Sequence, residues 1–211
     1  MADLPACDAL QPLLACLARG GELSGRQGAA LACDPAFRAT VSALERFGGG
    51  EVRLDQYVDA FRRAGRLCPA CMLRVDGRPV EASVTPEELW RFYLPLCLTL
   101  GRRSAASPRT HVGVAGPPGS GKSVFCAVLE RLLDELSGSA GSVVTVSLDG
   151  FHYPNAYLDG RGLRSVKGAP ETFDVQAFVS ALDRLRNSPA LRLPGYDRTL
   201  HDPVPGRVRV G

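Results

Sequence analysis

Gly116-Pro117-Pro118-Gly119-Ser120-Gly121-Lys122-Ser123 restricts this chain more than any other stretch. It fits G-x-x-x-x-G-K-[ST], the phosphate-binding P-loop. Its glycines let the backbone curl so that successive N–H groups point at phosphate oxygens. A helix that starts at the end of the loop adds the positive end of its dipole. Lys122 reaches the β- and γ-phosphates, and the Ser123 hydroxyl is suited to Mg²⁺. The motif has meaning only between a strand and a helix. His111-Val112-Gly113-Val114-Ala115 supplies an apolar run suited to a buried parallel strand. Val124, Phe125, Val128, Leu129, Leu132, Leu133 and Leu136 then mark one helical face, which stops at Ser137-Gly138.

Composition sharpens this reading. Only two of the 25 basic residues are lysines, Lys122 and Lys167. In a chain so biased to arginine, lysine is expected where a compact ammonium on a flexible stem is needed. The net charge of +3 and the scattered arginines predict no nucleic-acid partner. No apolar run approaches the roughly 20 residues that span a bilayer, so no membrane role is expected. Seven cysteines, unevenly spaced and without a secretion signal, argue against a disulfide framework and for the cytoplasm.

Residues 1–106 read as a mostly helical region without a catalytic motif. Leu10, Leu13, Leu14 and Leu17 share a helical face that ends at Gly20-Gly21. A second helix is expected over 36–47, stopped by Gly48-Gly49-Gly50, and a third through Leu54, Tyr57, Val58 and Phe61 to Gly65. Cys68-Pro69-Ala70-Cys71 is a lone C-x-x-C without further ligands at metal-site spacing, and reads as structural. Val75 to Val80 is expected to be a hairpin around Asp76-Gly77. Thr85, Pro86 and Glu88 form a helix start with a capping box, and Pro95 is placed to kink the helix that follows. Gly101 to Pro108 reads as a linker, which puts a second domain at 107–211.

Beyond the P-loop helix, Val143 to Leu148 is a β-branched run expected to be the second strand. It ends at Asp149, where an open α/β sheet places ligand-contacting residues. A carboxylate there suits proton removal from an attacking hydroxyl, or Mg²⁺ binding; it also suits an Asp-Gly turn. The segment 150–172 has little periodicity. Its Arg161, Arg164 and Lys167, at a spacing of three, read either as a cationic face or as solvated surface. Asp174 caps a helix through Val175, Phe178, Val179, Leu182 and Leu185, and 191–211, with three prolines, reads as loop.

The run Ser147-Leu148-Asp149-Gly150-Phe151-His152-Tyr153-Pro154-Asn155 is more specific. With Arg161-Gly162-Leu163, Lys167 to Asp174, Pro194-Gly195-Tyr196-Asp197 and His201, it resembles the phosphoribulokinase/uridine kinase superfamily of P-loop kinases. The likeness is greatest to type I pantothenate kinases and to uridine-kinase-like proteins, some labelled fructose transport system kinases. Leu94-Pro95-Leu96 resembles their "YLPL" segment. The resemblance covers about residues 90–211. It implies an α/β fold with a P-loop parallel sheet, and transfer of the γ-phosphoryl of Mg-ATP to a hydroxyl of a small molecule: pantothenate, a nucleoside, a sugar or glycerate. It matches Gly116 to Ser123 to the ATP site, Lys122 and Asp149 to catalysis, and Ser123 and Asp149 to Mg²⁺. His152, Tyr153, Arg161, Tyr196 and His201 fall where such kinases line the acceptor pocket.

In those kinases an apolar strand ending in an acidic "EG" motif, the Walker B element, follows the P-x-Y-D stretch, and a lid comes later. This sequence stops at Gly211, so an incomplete sheet lacking that strand is expected. The chain is then a truncated kinase, a kinase completed by another element, or a nucleotide-binding module without phosphotransfer. An open edge on the P-loop strand would favour pairing with a second copy, a homodimer.

Overall fold

The computed structural model describes residues 10–46, 52–75, 77–107 and 109–211. The chain divides into two compact units: one formed by 1–75 and 79–143, the other by 76–78 and 144–211.

The first unit is mainly helical. It contains α1 (Leu10–Ala18), α2 (Gly25–Ala32), α3 (Pro35–Arg46) and α4 (Leu54–Gly65). The expected stripes face inward: Leu14 and Leu17 of α1, Phe37 and Leu44 of α3, and Tyr57, Val58 and Phe61 of α4 are buried. Gly48 to Gly50 lie outside the described residues. α2 is an element that hydrophobic spacing did not single out. Its start is nonetheless written in a capping box: Ser24 Oγ accepts from the Gln27 N–H, and Gln27 Oε1 accepts from the Ser24 N–H at 2.9 Å.

Strands β1 (Ala70–Val75) and β2 (Arg78–Ser83) form the expected hairpin, of which Asp76 lies outside the described residues. The Thr85–Glu88 capping box then opens one long helical stretch: α5 (Pro86–Glu88), a π-turn over Leu89–Tyr93, and α6 (Leu94–Ala105). Pro95 sits in the first turn of α6, directly after the π-turn, and its missing N–H leaves a carbonyl of that turn without a helical donor. The stretch read as a linker is helical as far as Ala105, because Leu94 and Cys97 bury one face of α6 and carry the helix through Gly101. Trp90 joins this stretch to the helices before it. Its ring meets Tyr57 and Phe61 edge-on at centroid distances of 4.7 and 5.3 Å, and Tyr57 meets Phe37 at 5.2 Å. The P-loop helix, α7 (Lys122–Ser137), buries Ala127, Val128, Leu129 and Leu132 and ends at Gly138 with φ 70°, as its glycine stop requires.

The second unit packs α9 (Val175–Asn187) against an antiparallel pair, β3 (Leu191–Asp197) and β4 (Asp202–Val210), around Phe151, Ala181, Leu185, Leu191 and Leu193. The pairing runs from Leu191↔Val210 to Asp197↔Asp202 and is irregular between Leu193 and Gly195. This hairpin corrects the loop reading of 191–211. Prolines 194, 203 and 205 argued against strands, but each strand of a two-stranded sheet has a free edge, where a missing N–H is tolerated. α8 (Asn155–Gly160) and short 3₁₀ turns fill the segment without periodicity.

The mixture of helices and strands agrees with the α/β reading. The parallel P-loop sheet does not appear: the sheets of the described residues are β1–β2 and β3–β4 alone. Residues 111–115 and 143–147 enter neither, and Val112 (52%) and Val144 (39%) remain exposed. A β-branched apolar run favours extended backbone, but becomes a strand only when a neighbour supplies the ladder. Among the described residues no helix is long and apolar enough to cross a membrane.

Candidate functional site

The expected site residues lie in two places. Gly116 to Ser123 belong to the first unit. Gly119 and Gly121 have φ values of 78° and 81°, the left-handed backbone that curls the loop. Gly121 caps α7, so the loop feeds directly into the helix N-terminus. Pro117, Pro118 and Ser120 are exposed, as is Ser123. Lys122 folds back over the loop, its Nζ donating to the Pro117 carbonyl at 2.8 Å. An ammonium held by one neutral acceptor keeps its charge available to an incoming anion. The curled backbone, the helix N-terminus and Lys122 fit a polyphosphate. No group of three or more His, Cys, Asp or Glu suited to a metal occurs among the described residues. Ser123, exposed in the first turn of α7, offers a hydroxyl of the kind that suits magnesium.

Asp149 lies in the second unit, within a 3₁₀ turn over Leu148–Phe151 whose start is fixed by Ser147 Oγ accepting from the Asp149 N–H at 3.2 Å. The turn is pressed onto β3. A Cβ on Gly150 would come within 2.7 Å of the Pro194 carbonyl oxygen. This contact brings Asp149 beside the end of β3, where Arg198 Nη2 approaches Asp149 Oδ2 at 3.4 Å.

Around Asp149 is a cleft of about 410 Å³ lined by Asp149, His152, Arg164, Lys167, Tyr196, Arg198 and His201. Three of the five residues expected at an acceptor pocket are therefore here: His152, Tyr196 and His201. The other two are not. Tyr153 stacks on Tyr157 at 4.5 Å, and Arg161 covers the Tyr157 ring at 4.9 Å, so both are committed to an aromatic cluster outside the cleft. Of the three basic residues spaced by three, Arg164 and Lys167 line the cleft and Arg161 does not. Helix α8 ends at Gly160 and Gly162 takes a φ of 69°, so the chain turns between Arg161 and Arg164 instead of continuing one helical face.

His152 is buried and stacks on Phe173 at 3.7 Å. Its Nδ1 lies 3.1 Å from the Thr172 carbonyl, which can only accept, so Nδ1 carries the proton. Burial holds its pKa below the ordinary imidazole value, and the positive charge of Lys167 acts in the same direction. Burial likewise pushes the Tyr196 phenol up, with Asp149 and Asp202 adding to the shift, so it stays protonated and able to donate.

Lys167 is a tie. Its Nζ donates to Asn155 Oδ1 and to the His201 carbonyl, both at 2.6 Å, and lies 3.9 Å from Asp202 Oδ1. Burial lowers its pKa. It holds the turn between β3 and β4, in which His201 has a φ of 51°, uncommon for a residue with a Cβ. Asp197 organises the same turn, accepting from the Thr199 and Leu200 N–H groups at 2.8 and 3.1 Å and from Arg207 at 3.0 Å. Those bonds to the carboxylate, the backbone ones foremost, lower its pKa. Arg198 and Asp197 were not among the expected site residues. Arg198 is two positions beyond Tyr196, on a turn that a loop reading left without direction.

No protein-family model matches the chain. It is 36% identical over 140 residues to an uncharacterized protein, YggC, of Escherichia coli strain K12, which covers 65% of this chain and 58% of that protein. It is 37% identical over 106 residues to a pantothenate kinase of Streptococcus pneumoniae strain Hungary19A-6, covering 50% of this chain and 34% of the kinase. A crystal structure described as a fructose transport system kinase of Silicibacter sp. TM1040 is 34% identical, with a TM-score of 0.44, and the match covers 55% of this chain and 56% of that one. The chain thus spans about a third to three fifths of the lengths of these proteins. Over the aligned parts the chain is similar in sequence to YggC and to the pantothenate kinase.

Proposed function

We propose that this chain is the working part of a small-molecule kinase: residues 116–123 bind the phosphates of Mg-ATP, and Asp149 receives the proton of an acceptor alcohol. The observation that carries the reading is the polar cleft, in which Asp149 is the sole carboxylate among seven lining residues. A hydroxyl set against Asp149 loses its proton to the carboxylate as its oxygen bonds to the γ-phosphorus. The bond from that phosphorus to the bridging oxygen breaks, ADP leaves, and the proton passes on to solvent. Magnesium, when bound, neutralises charge on the phosphates. Lys122 and the α7 N-terminus stabilise charge on the transferring group, and Tyr196, which lines the cleft, donates to the acceptor in this reading. Pantothenate, a nucleoside, a sugar and glycerate are the acceptors to test, the first supported by the pantothenate kinase relative.

The test is product formation from Mg-ATP and a panel of alcohols. Lys122→Ala should abolish turnover and weaken nucleotide binding. Asp149→Asn should lower turnover by about 10²–10⁴-fold while leaving ATP affinity nearly unchanged. Full activity of either variant would sink this mechanism. A second reading, nucleotide binding without phosphotransfer, is favoured by one observation: among the described residues the runs at 111–115 and 143–147 belong to no sheet. Saturable ATP binding with no product from any alcohol would support it.

A further inference from the structure

We infer that the Asp149 cleft selects an acceptor alcohol that carries an anionic group, a carboxylate or a phosphate, and that Arg198 and Arg164 are the residues that read it. The inference deepens the kinase reading and rests on it for the reaction, though not for the binding it predicts. Every lining residue carries a polar group and most of the lining surface is polar, so the cleft suits a polar ligand. It is also unequal in charge. Three cationic side chains, Arg164, Lys167 and Arg198, face one carboxylate. The carboxylates that pair with Arg164 and Lys167, Asp159 and Asp202, do not line the cleft, so the cleft wall itself is cationic.

The three cations are not equivalent. Lys167 is 13% exposed and fixed by two short hydrogen bonds, so it contributes field and holds the turn. The two arginines are more exposed, and each meets its carboxylate through one Nη, at 3.3 Å for Arg164 to Asp159 and 3.4 Å for Arg198 to Asp149. Charge-assisted N–H···O bonds close to about 2.7–2.9 Å when well made. Contacts this long are easily exchanged for the planar, two-point grip that a guanidinium makes on a ligand carboxylate or phosphate.

The exchange has a consequence for Asp149. While Arg198 rests on it, one carboxylate oxygen is occupied by a cation. An acceptor anion that draws Arg198 away frees that oxygen for the hydroxyl proton. A neutral alcohol leaves the pair in place. Recognition of the anion and release of the base are then one event, centred on Arg198.

The experiment compares three probes that share a glycerol frame: glycerol, glycerate and glycerol phosphate. Binding is measured by calorimetry on the full chain. The Lys122→Ala background is included, so that phosphate held by the loop is not counted. Glycerate, glycerol phosphate or both should bind about 10- to 100-fold more tightly than glycerol, the gain expected for hydrogen bonds to a charged partner. The stronger of the two arms identifies carboxylate or phosphate as the group read. Arg198→Gln and Arg164→Gln should each remove most of that preference. Arg198→Lys, which keeps the charge, should retain part of it, which separates loss of recognition from loss of folding. Equal binding of all three probes, or a preference that survives both glutamine substitutions, overturns the inference. A preference that behaves as expected, with no phosphorylated product, upholds it and rejects the kinase reading instead.

Discussion

Gly150 and Pro194 touch backbone to backbone: a Cβ on Gly150 would sit 2.7 Å from the Pro194 oxygen and 3.0 Å from its carbonyl carbon. The neighbour is the main chain of β3, which gives way less easily than the far end of a flexible side chain. Gly150→Ala should therefore push the 3₁₀ turn off β3 and carry Asp149 away from Arg198. Overpacking of this kind costs about 1–3 kcal/mol. Chemical denaturation should show that loss, and the preference for anionic probes should fall with it. Unchanged stability with unchanged preference would show that the close approach is not what positions Asp149.

A pH dependence follows from His152. Burial keeps its folded pKa below the ordinary value, so between that pKa and 6.5 the unfolded chain binds more protons. Stability is unaffected by this group above pH 6.5, falls as the pH drops through that window, and levels off below the folded pKa. The cause is local: protonating the ring adds a charge to a residue 8% exposed and stacked on Phe173. Denaturation midpoints measured from pH 8 to 5 should decline, and in His152→Gln this part of the decline should disappear. A decline of the same size in both proteins would assign the acid sensitivity to other groups.

The sequence shows the local rules well and the distant ones poorly. The capping box at Thr85, the glycine stop at Gly138 and the cap of α9 by Asp174, which accepts from Ala177 at 2.8 Å, are written within a few residues and appear as expected. The strand status of 111–115 depends on a partner far along the chain, and apolar content alone does not supply one. The β3–β4 hairpin was hidden for the opposite reason: its prolines argued against strands, while its partner lay only a turn away. At the site, Asp149 was singled out by a local signal, an apolar run that ends at Asp-Gly, although residues 143–147 join no sheet. Arg198 was not, since its direction is set by the Asp197 turn and by the seating of Gly150 on Pro194. The scarcity of lysine pointed to both lysines, and Lys167 proved to tie α8, its own loop and the His201 turn together.

The cysteines should separate by burial. Cys97 is 2% exposed and its thiol is pushed up to about 12 by burial; Cys68 is pushed to about 11, by burial first and by Cys71 and Glu88 after it. The thiolate is the reactive form, so both should resist alkylation at pH 8. Cys16 and Cys33 are exposed and should react first among the cysteines of the described residues. Peptide mapping after timed treatment with iodoacetamide reads the order. Rapid labelling of Cys68 would contradict the structural reading of Cys68-Pro69-Ala70-Cys71 and reopen a redox one.

Tyr57 offers the sharpest test of the helical unit. Its hydroxyl donates to the Trp90 carbonyl at 2.7 Å, across 33 residues of sequence, and its side chain is fully buried. The acceptor lies in the π-turn, where the Leu94 N–H reaches back to Leu89. Burial raises the phenol pKa well above its usual value, so it stays a donor throughout the stable range. Tyr57→Phe keeps the edge-on packing on Trp90 and Phe37 but leaves the Trp90 carbonyl without this donor. A buried polar group left unmatched costs about 1–3 kcal/mol. Tyr57→Ala should cost more, about 3–5 kcal/mol, because a cavity is added to the lost bond. Urea denaturation followed by the fluorescence of Trp90, the single tryptophan, measures both. If Tyr57→Phe is as stable as the parent, the hydroxyl does not hold the π-turn and the ring packing alone joins α4 to the 86–105 stretch.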